Sequence, residues 1–270
     1  MKKLLILFLL SVTLVSAATY TTRRGDTLKS VADRYGISVS QLATDNPNLK
    51  LTSGQNISVP TPPTLPPLSP PPPATYPLHT NITATVFWIG EPIGNGSSED
   101  NAISAYDEDW QAHYGGYDDY SYRRTYPYFP NFTPRENPFY ITLPFDDINN
   151  TAAYNWRINI PWYTGNTSKS YSYMKNRWVM IQKGTNVCYG QIEDAGPYYY
   201  QDSEYVFGTN DSRPYSTKAN NAGLDVSPAL RDCLGFNGLN NADNKVNWRF
   251  VDNPPSGPWT IVITTRQVSQ

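Results

Sequence analysis

Three patterns of hydrophobic and polar positions divide the chain. From Thr19 to Pro60, two helical periods lie between short β-like runs. Thr19-Tyr20-Thr21-Thr22 reads as a strand, and Leu28, Val31, Ala32 and Tyr35 then recur at three- and four-residue spacing. Asp26 or Thr27 is placed to cap that helix and Gly36 to stop it. Ser38 is placed to cap a second helix carrying Val39, Leu42 and Ala43. Asn46-Pro47-Asn48 makes a loop, Gly54-Gln55 a turn, and Ile57-Ser58-Val59-Pro60 a closing strand. Residues 61–77 are dominated by proline, including Pro70 to Pro73, and are expected as an extended spacer. From residue 78 onward the alternation is β-like, with strands expected at 82–88, 139–143, 178–182, 188–193, 246–251 and 259–264. Lys183-Gly184-Thr185-Asn186 supplies a turn, and Ser227 caps a short helix through Leu234. Irregular insertions at 92–137 and 146–175 and a tyrosine-rich loop after Pro197 separate these runs. Short strands, few helices and long loops argue for a small barrel.

Met1 to Ala17 has the layout of a secretory signal peptide. Lys2-Lys3 leads an apolar run from Leu4 to Val15, and Val15-Ser16-Ala17 supplies small residues for cleavage near Ala17. The run is too short to span a bilayer, so no membrane insertion is expected. The mature chain is expected to be secreted or periplasmic, at the cell wall, and a monomer. No cysteine follows the expected cleavage site, which argues against a lipid-anchored form. In an exported chain the two cysteines most simply form one disulfide, Cys188–Cys233, the alternative being two buried thiols. A formal net charge of −2 gives no electrostatic case for nucleic acid. Aromatics are prominent: 21 Tyr and 7 Trp against 9 Phe favour rings with a polar edge, suited to a partly wet surface. No phosphate loop, zinc cluster or repeat is present. His79 and His113 do not make a metal site, and no cofactor is expected.

The first pattern, a β-α-α-β module at residues 18–60, resembles the LysM domain. The residues that carry the resemblance include Tyr20, Gly25-Asp26-Thr27-Leu28, Tyr35-Gly36, Asn46, Gly54-Gln55 and Val59-Pro60. The resemblance implies binding to N-acetylglucosamine-containing glycan, peptidoglycan or chitin. The groove it implies lies between the first strand–helix loop (Gly25, Asp26, Thr27) and the loop after the second helix (Asn46, Pro47, Asn48). From the residues alone, Asp26 and Thr27 are also simple helix caps.

Residues 78–270 resemble the six-stranded double-psi β-barrel of the rare lipoprotein A and expansin type. The resemblance rests on Thr142-Leu143-Pro144-Phe145, Trp178 to Ile181, Ile192 to Pro197, Leu224-Asp225-Val226-Ser227 and Leu234-Gly235. It implies action on wall polysaccharide, with Asp225 as the proton donor or otherwise essential and Asp194 beside it. Two carboxyls held close shift each other's pKa, so one of them can protonate a glycosidic oxygen. Inverting hydrolysis needs a further carboxylate, and Asp107, Asp109, Asp118 and Asp119 are candidates. One departure stands out: where the lipoprotein-A type has a histidine before the Leu-Pro-Phe segment, this chain has Tyr140, and His113 is a substitute from the insertion. Trp110, Tyr114, Trp162, Tyr198, Tyr199 and Tyr200 are candidates to stack on sugar rings. Asp194 as a turn residue and Asp225 as a helix cap are the structural alternatives.

The expected whole is an anchored two-domain protein, an α+β LysM module followed by a mainly-β six-stranded double-psi barrel with long insertions. Its expected role is to bind and modify cell-wall polysaccharide. The alternatives are a glycosidase or lytic transglycosylase with Asp225 as general acid, and a non-catalytic structural or protein-binding protein.

Overall fold

The computed structural model describes residues 17–22, 26–35, 37–47, 49–60, 76–94, 97 and 99–269. The expected signal peptide up to residue 16, most of the proline-rich spacer (61–75), Gly25 and Asn48 lie outside the described residues. The described residues fall into two compact units, one on each side of the spacer.

The first unit pairs strands β1 (Ala17–Thr21) and β2 (Asn56–Pro60) antiparallel, with helices α1 (Leu28–Tyr35) and α2 (Val39–Asp45) between them. Tyr20, Val31, Ala32, Leu42, Ile57 and Val59 close its small core. The caps follow the sequence. Thr27 and Ser30 bond reciprocally at the start of α1, each backbone N–H donating to the other's hydroxyl. The Ser38 hydroxyl accepts from the Gln41 N–H at the start of α2.

The second unit is a closed six-stranded barrel. In chain order its elements are β3 (His79–Val86), α3 (Trp110–Tyr114), β4 (Tyr140–Leu143), α4 (Thr151–Trp156), β5 (Trp178–Lys183) and β6 (Asn186–Ala195), followed by α5 (Ser203–Phe207), β7 (Ala222–Val226), α6 (Pro228–Leu234) and β8 (Lys245–Val251). Around the barrel the strands run β3-β7-β4-β6-β5-β8. β3/β7 and β4/β6 are parallel and the other neighbours antiparallel. The β5–β6 hairpin turns at Gly184-Thr185, with Gly184 at φ +59°.

Helix α6 lies against β6, and the contact depends on Gly190. A Cβ there would stand 2.9 Å from Leu230 Cδ1, 3.0 Å from Ile141 Cγ2 and 3.0 Å from the Phe139 carbonyl oxygen. Cys188 on β6 and Cys233 in the last turn of α6 are bridged, with their Cα atoms 6.4 Å apart. On the chain-entropy argument, a loop of 45 residues closed this way stabilises the fold by about 4 kcal/mol.

The expected strand at 259–264 is not a strand. Trp259 sits in a single 3-10 turn, and Ile261 and Ile263 are half exposed. Two buried amide side chains hold this segment in place of a ladder. Asn137 Nδ2 donates to the Trp259 carbonyl. Gln191 Nε2 donates to the Thr264 carbonyl, while Gln191 Oε1 accepts from the Thr264 N–H. These side chains take up the Trp259 carbonyl and both Thr264 backbone groups without a partner strand, so the alternating sequence pattern carries no pairing here.

Candidate functional site

The two aspartates come together through strand register. Thr85 on β3 faces Asp225 on β7, Asp225 faces Thr142 on β4, and Thr142 faces Asp194 on β6. The four residues form a row across four adjacent strands. On three of those strands the flanking residues are buried apolar ones, Ala84 and Val86, Leu224 and Val226, Ile141 and Leu143, so period-two alternation turns the row away from the core. The row floors a cleft of about 150 Å³ whose walls include Trp88, Glu91, Glu99, Tyr198 and Tyr200. Among the described residues, four carboxylates line the cleft, Glu91, Glu99, Asp194 and Asp225, and no Lys, Arg or His does.

Asp225 is held by hydroxyls. Thr85 Oγ1 donates to its Oδ1, Thr142 Oγ1 lies 3.4 Å from Oδ2, and the Asp225 N–H donates to Thr142 Oγ1 at 3.3 Å. Burial raises its pKa to about 6, and the two threonine hydroxyls restrain the rise. Asp194 is held by backbone. Its Oδ1 accepts the N–H groups of Ala105 (2.7 Å) and Ala195 (2.8 Å). Burial again dominates and lifts it to about 7. The two amides oppose that rise, and the negative charges of Asp146 and Asp225 add to it. With Oδ1 occupied by two donors, the proton of the neutral form belongs on Oδ2. Gly196, at φ +154°, borders the floor of the cleft: a Cβ there would stand in ordinary contact with Thr142 Oγ1 (3.5 Å) and Asp225 Oδ2 (3.7 Å).

Glu91, like Glu99, is a cleft carboxylate that the sequence reading missed. It follows Gly90, which is at φ +85°, in a loop after β3. That loop is fixed by Gly90 N–H to the Asn101 carbonyl and Asn101 N–H to the Glu91 carbonyl, at 2.8 and 3.1 Å. Its Oε2 accepts from Asn101 Nδ2 at 3.3 Å. Burial raises it to about 7, restrained by hydrogen bonds from Trp88 and Asn101 and helped by the charge on Asp225.

The other expected site residues separate cleanly. Tyr198 and Tyr200 line the cleft. Trp110 and Tyr114 do not: both are fully buried, packed with Phe87, Ile89 and Tyr140 in a second small core that joins the insertion to the barrel. They are unavailable to a sugar, and their sequence assignment as stacking residues is corrected here. Trp162 lies under the Arg177 guanidinium (4.1 Å) and against Phe250, which is packing. None of the four expected bases lines the cleft. Asp107 is buried and bonded to His113 Nδ1 at 2.7 Å, and Asp118 is buried between the Tyr140 hydroxyl (2.7 Å) and Arg123 (2.6 Å). Asp119 accepts from Ser121, and Asp109 is exposed ahead of α3. Tyr140 is equally committed, since its hydroxyl donates to Asp118 and accepts the Ile89 N–H. Among the described residues no three or more His, Cys, Asp or Glu side chains are grouped to hold a metal ion.

In the first unit, the Asp26 carboxylate accepts from the Tyr20 hydroxyl at 2.7 Å. Asn46 acts as a latch: Nδ2 donates to the Leu42 and Ser58 carbonyls, and Oδ1 accepts the Ser58 N–H. Its amide is spent on joining α2 to β2. Pro47 is exposed beside it.

Residues 20–60 match the LysM domain family, so this unit is a LysM domain, and that domain implies binding of N-acetylglucosamine-containing glycan. No curated protein matches the chain.

Proposed function

We propose that the chain is a secreted or periplasmic cell-wall protein whose LysM domain holds it on peptidoglycan or chitin while the barrel cleft acts on wall polysaccharide by acid–base chemistry. One observation carries the reading: three carboxylates with pKa values raised to about 6 or 7 line one cleft. Groups poised this way exchange protons at neutral pH, where ordinary carboxylates are already ionised. The two parallel strand pairs and the Asp-Ala-Gly-Pro and Leu-Asp-Val-Ser segments support assignment to the double-psi barrel of the rare lipoprotein A and expansin type. A domain that binds the wall raises the local concentration of the wall's glycan strands at the cleft.

The order of the raised pKa values, about 7 for Asp194 and about 6 for Asp225, supports one assignment of roles. Asp194 holds its proton more tightly than Asp225, so Asp194 is the acid that protonates the glycosidic oxygen. Asp225, whose charge the threonines stabilise, takes the proton of the attacking water. This reverses the order that the family resemblance implies. The two residues stand two strands apart, about 10 Å between Cα atoms at strand spacing. Inversion needs about 6.5–9.5 Å between carboxyls and retention about 5–5.5 Å, so the stereochemistry of a released product reports their separation. A second reading, binding without turnover, is favoured by Tyr140, which stands at the family's histidine position and is spent inside the core.

The test is to incubate the full chain with peptidoglycan, chitin and cellulose and analyse soluble products by mass spectrometry. Fragments released from one of them, and lost in Asp225→Asn, support the enzyme. No fragments from any of the three leaves the binding reading.

A further inference from the structure

The tyrosine loop carries a feature outside the cleft. Tyr198 and Tyr199 sit consecutively at φ +39° and +55°, in a left-handed region that bulky residues rarely adopt. Tyr198 turns into the cleft wall, where Lys218 lies 4.6 Å from the centre of its ring. Tyr199 turns outward and stacks on Tyr215, with centroids 4.1 Å apart and planes 25° apart. Both remain exposed, Tyr199 at 39% and Tyr215 at 68%.

This pair is built in rather than loose. The Tyr215 N–H donates to the Asp202 carboxylate at 2.7 Å, and Asp202 is buried. The Asp202 N–H in turn donates to the Pro144 carbonyl at 2.9 Å, two residues beyond Thr142 in the cleft floor. A short chain of hydrogen bonds therefore ties the Tyr215 backbone to the strand that carries Thr142. The cleft itself is small. At about 150 Å³ it is shorter than a polysaccharide strand, so units of a long glycan beyond those it holds lie on the surface beside it.

We infer that the stacked Tyr199–Tyr215 pair is a subsite for a pyranose ring of the polysaccharide, next to the unit held in the cleft. A pyranose has one face of C–H groups, and an exposed aromatic ring with one face already covered presents a flat, rigid, amphipathic surface to it. Because Tyr198 and Tyr199 are adjacent, the strand passes directly from cleft to platform. The inference rests on the reading of the cleft as a glycan site.

Hydroxyl-radical footprinting of the full chain, read residue by residue, separates the two claims and keeps the LysM contribution apart. The probes are chitohexaose, cellohexaose and solubilised peptidoglycan strands, with the corresponding trisaccharides. The expected result is that one hexasaccharide or strand protects Tyr198 and Tyr200 together with Tyr199 and Tyr215. Tyr215→Ala then weakens protection of the cleft by that probe about tenfold, while Tyr215→Phe does not. Protection of Tyr198 and Tyr200 with none at Tyr199 and Tyr215 overturns the subsite and leaves the cleft standing. No protection at any of the four with any probe overturns the cleft reading and the subsite with it.

Discussion

Replacing Gly190 by alanine tests the link between packing and site geometry. The added methyl would lie 2.9–3.0 Å from Leu230 Cδ1, Ile141 Cγ2 and the Phe139 carbonyl oxygen, where about 3.5–4.0 Å is comfortable. Leu230 and Ile141 end in methyl groups that move at modest cost. The carbonyl does not, because it accepts the Gln191 N–H at 2.9 Å and so belongs to the β4–β6 pairing that sets Thr142 beside Asp194. Overpacking of this kind costs about 1–3 kcal/mol. Taking about 2 kcal/mol, the midpoint of the barrel's thermal transition falls by about 4–8 °C for a unit of this size. The assay is near-UV circular dichroism of the full chain against temperature, which follows the buried tryptophans of the barrel. An unchanged midpoint in Gly190→Ala would refute the close-packing argument for the α6–β6 contact.

Other consequences follow from the same contacts. Changing both cysteines to alanine removes a 45-residue loop closure and should destabilise the barrel by about 4 kcal/mol, read from the urea midpoint; a loss under 1 kcal/mol contradicts the chain-entropy reasoning. Asp194, Glu91, Glu193 and Asp225 all have pKa values raised in the folded state by burial, so the native state binds more protons than the unfolded chain between about pH 4 and 7. Their contribution to stability is full below the unfolded carboxylate range and is lost as pH rises through about 7. The urea midpoint should therefore be lower at pH 8 than at pH 5, with a smaller difference in Asp194→Asn, and the opposite slope would reject the shifts. Asn137→Ala leaves the Trp259 carbonyl without its partner and should release residues 259–264, seen as faster amide exchange there than in β8; unchanged exchange argues that Trp259 burial alone holds the segment.

The local signals in the sequence were strong where one residue does one job. Ser227 and Ser38 cap their helices through the hydrogen bonds that their positions implied. The cysteines pair, and the LysM order β-α-α-β is the one observed. The aspartates were legible as a pair because each stands one residue before the end of its strand, and β4, parallel to β6 and antiparallel to β7, brings both to Thr142. Three features were hidden for physical reasons. Trp110 and Tyr114 lie in a stretch without periodicity, so nothing marked them as a separate core, yet the insertion folds around them. Glu91 sits in an irregular Gly-Glu-Pro turn, and only the fold returns that turn to Asp225. Residues 259–264 alternate like a strand, but Asn137 and Gln191 lie far away in sequence and supply their hydrogen bonds from side chains.

The claim that the carboxyls of the cleft titrate near neutral pH is open to direct measurement. Carbon-13 NMR of the full chain labelled at aspartate Cγ, with Asp194→Asn and Asp225→Asn to assign the signals, gives each titration midpoint. Midpoints near 7 for Asp194 and near 6 for Asp225, in that order, are expected. Midpoints for both near 4, the range of a solvated aspartate, would contradict proton transfer by this pair.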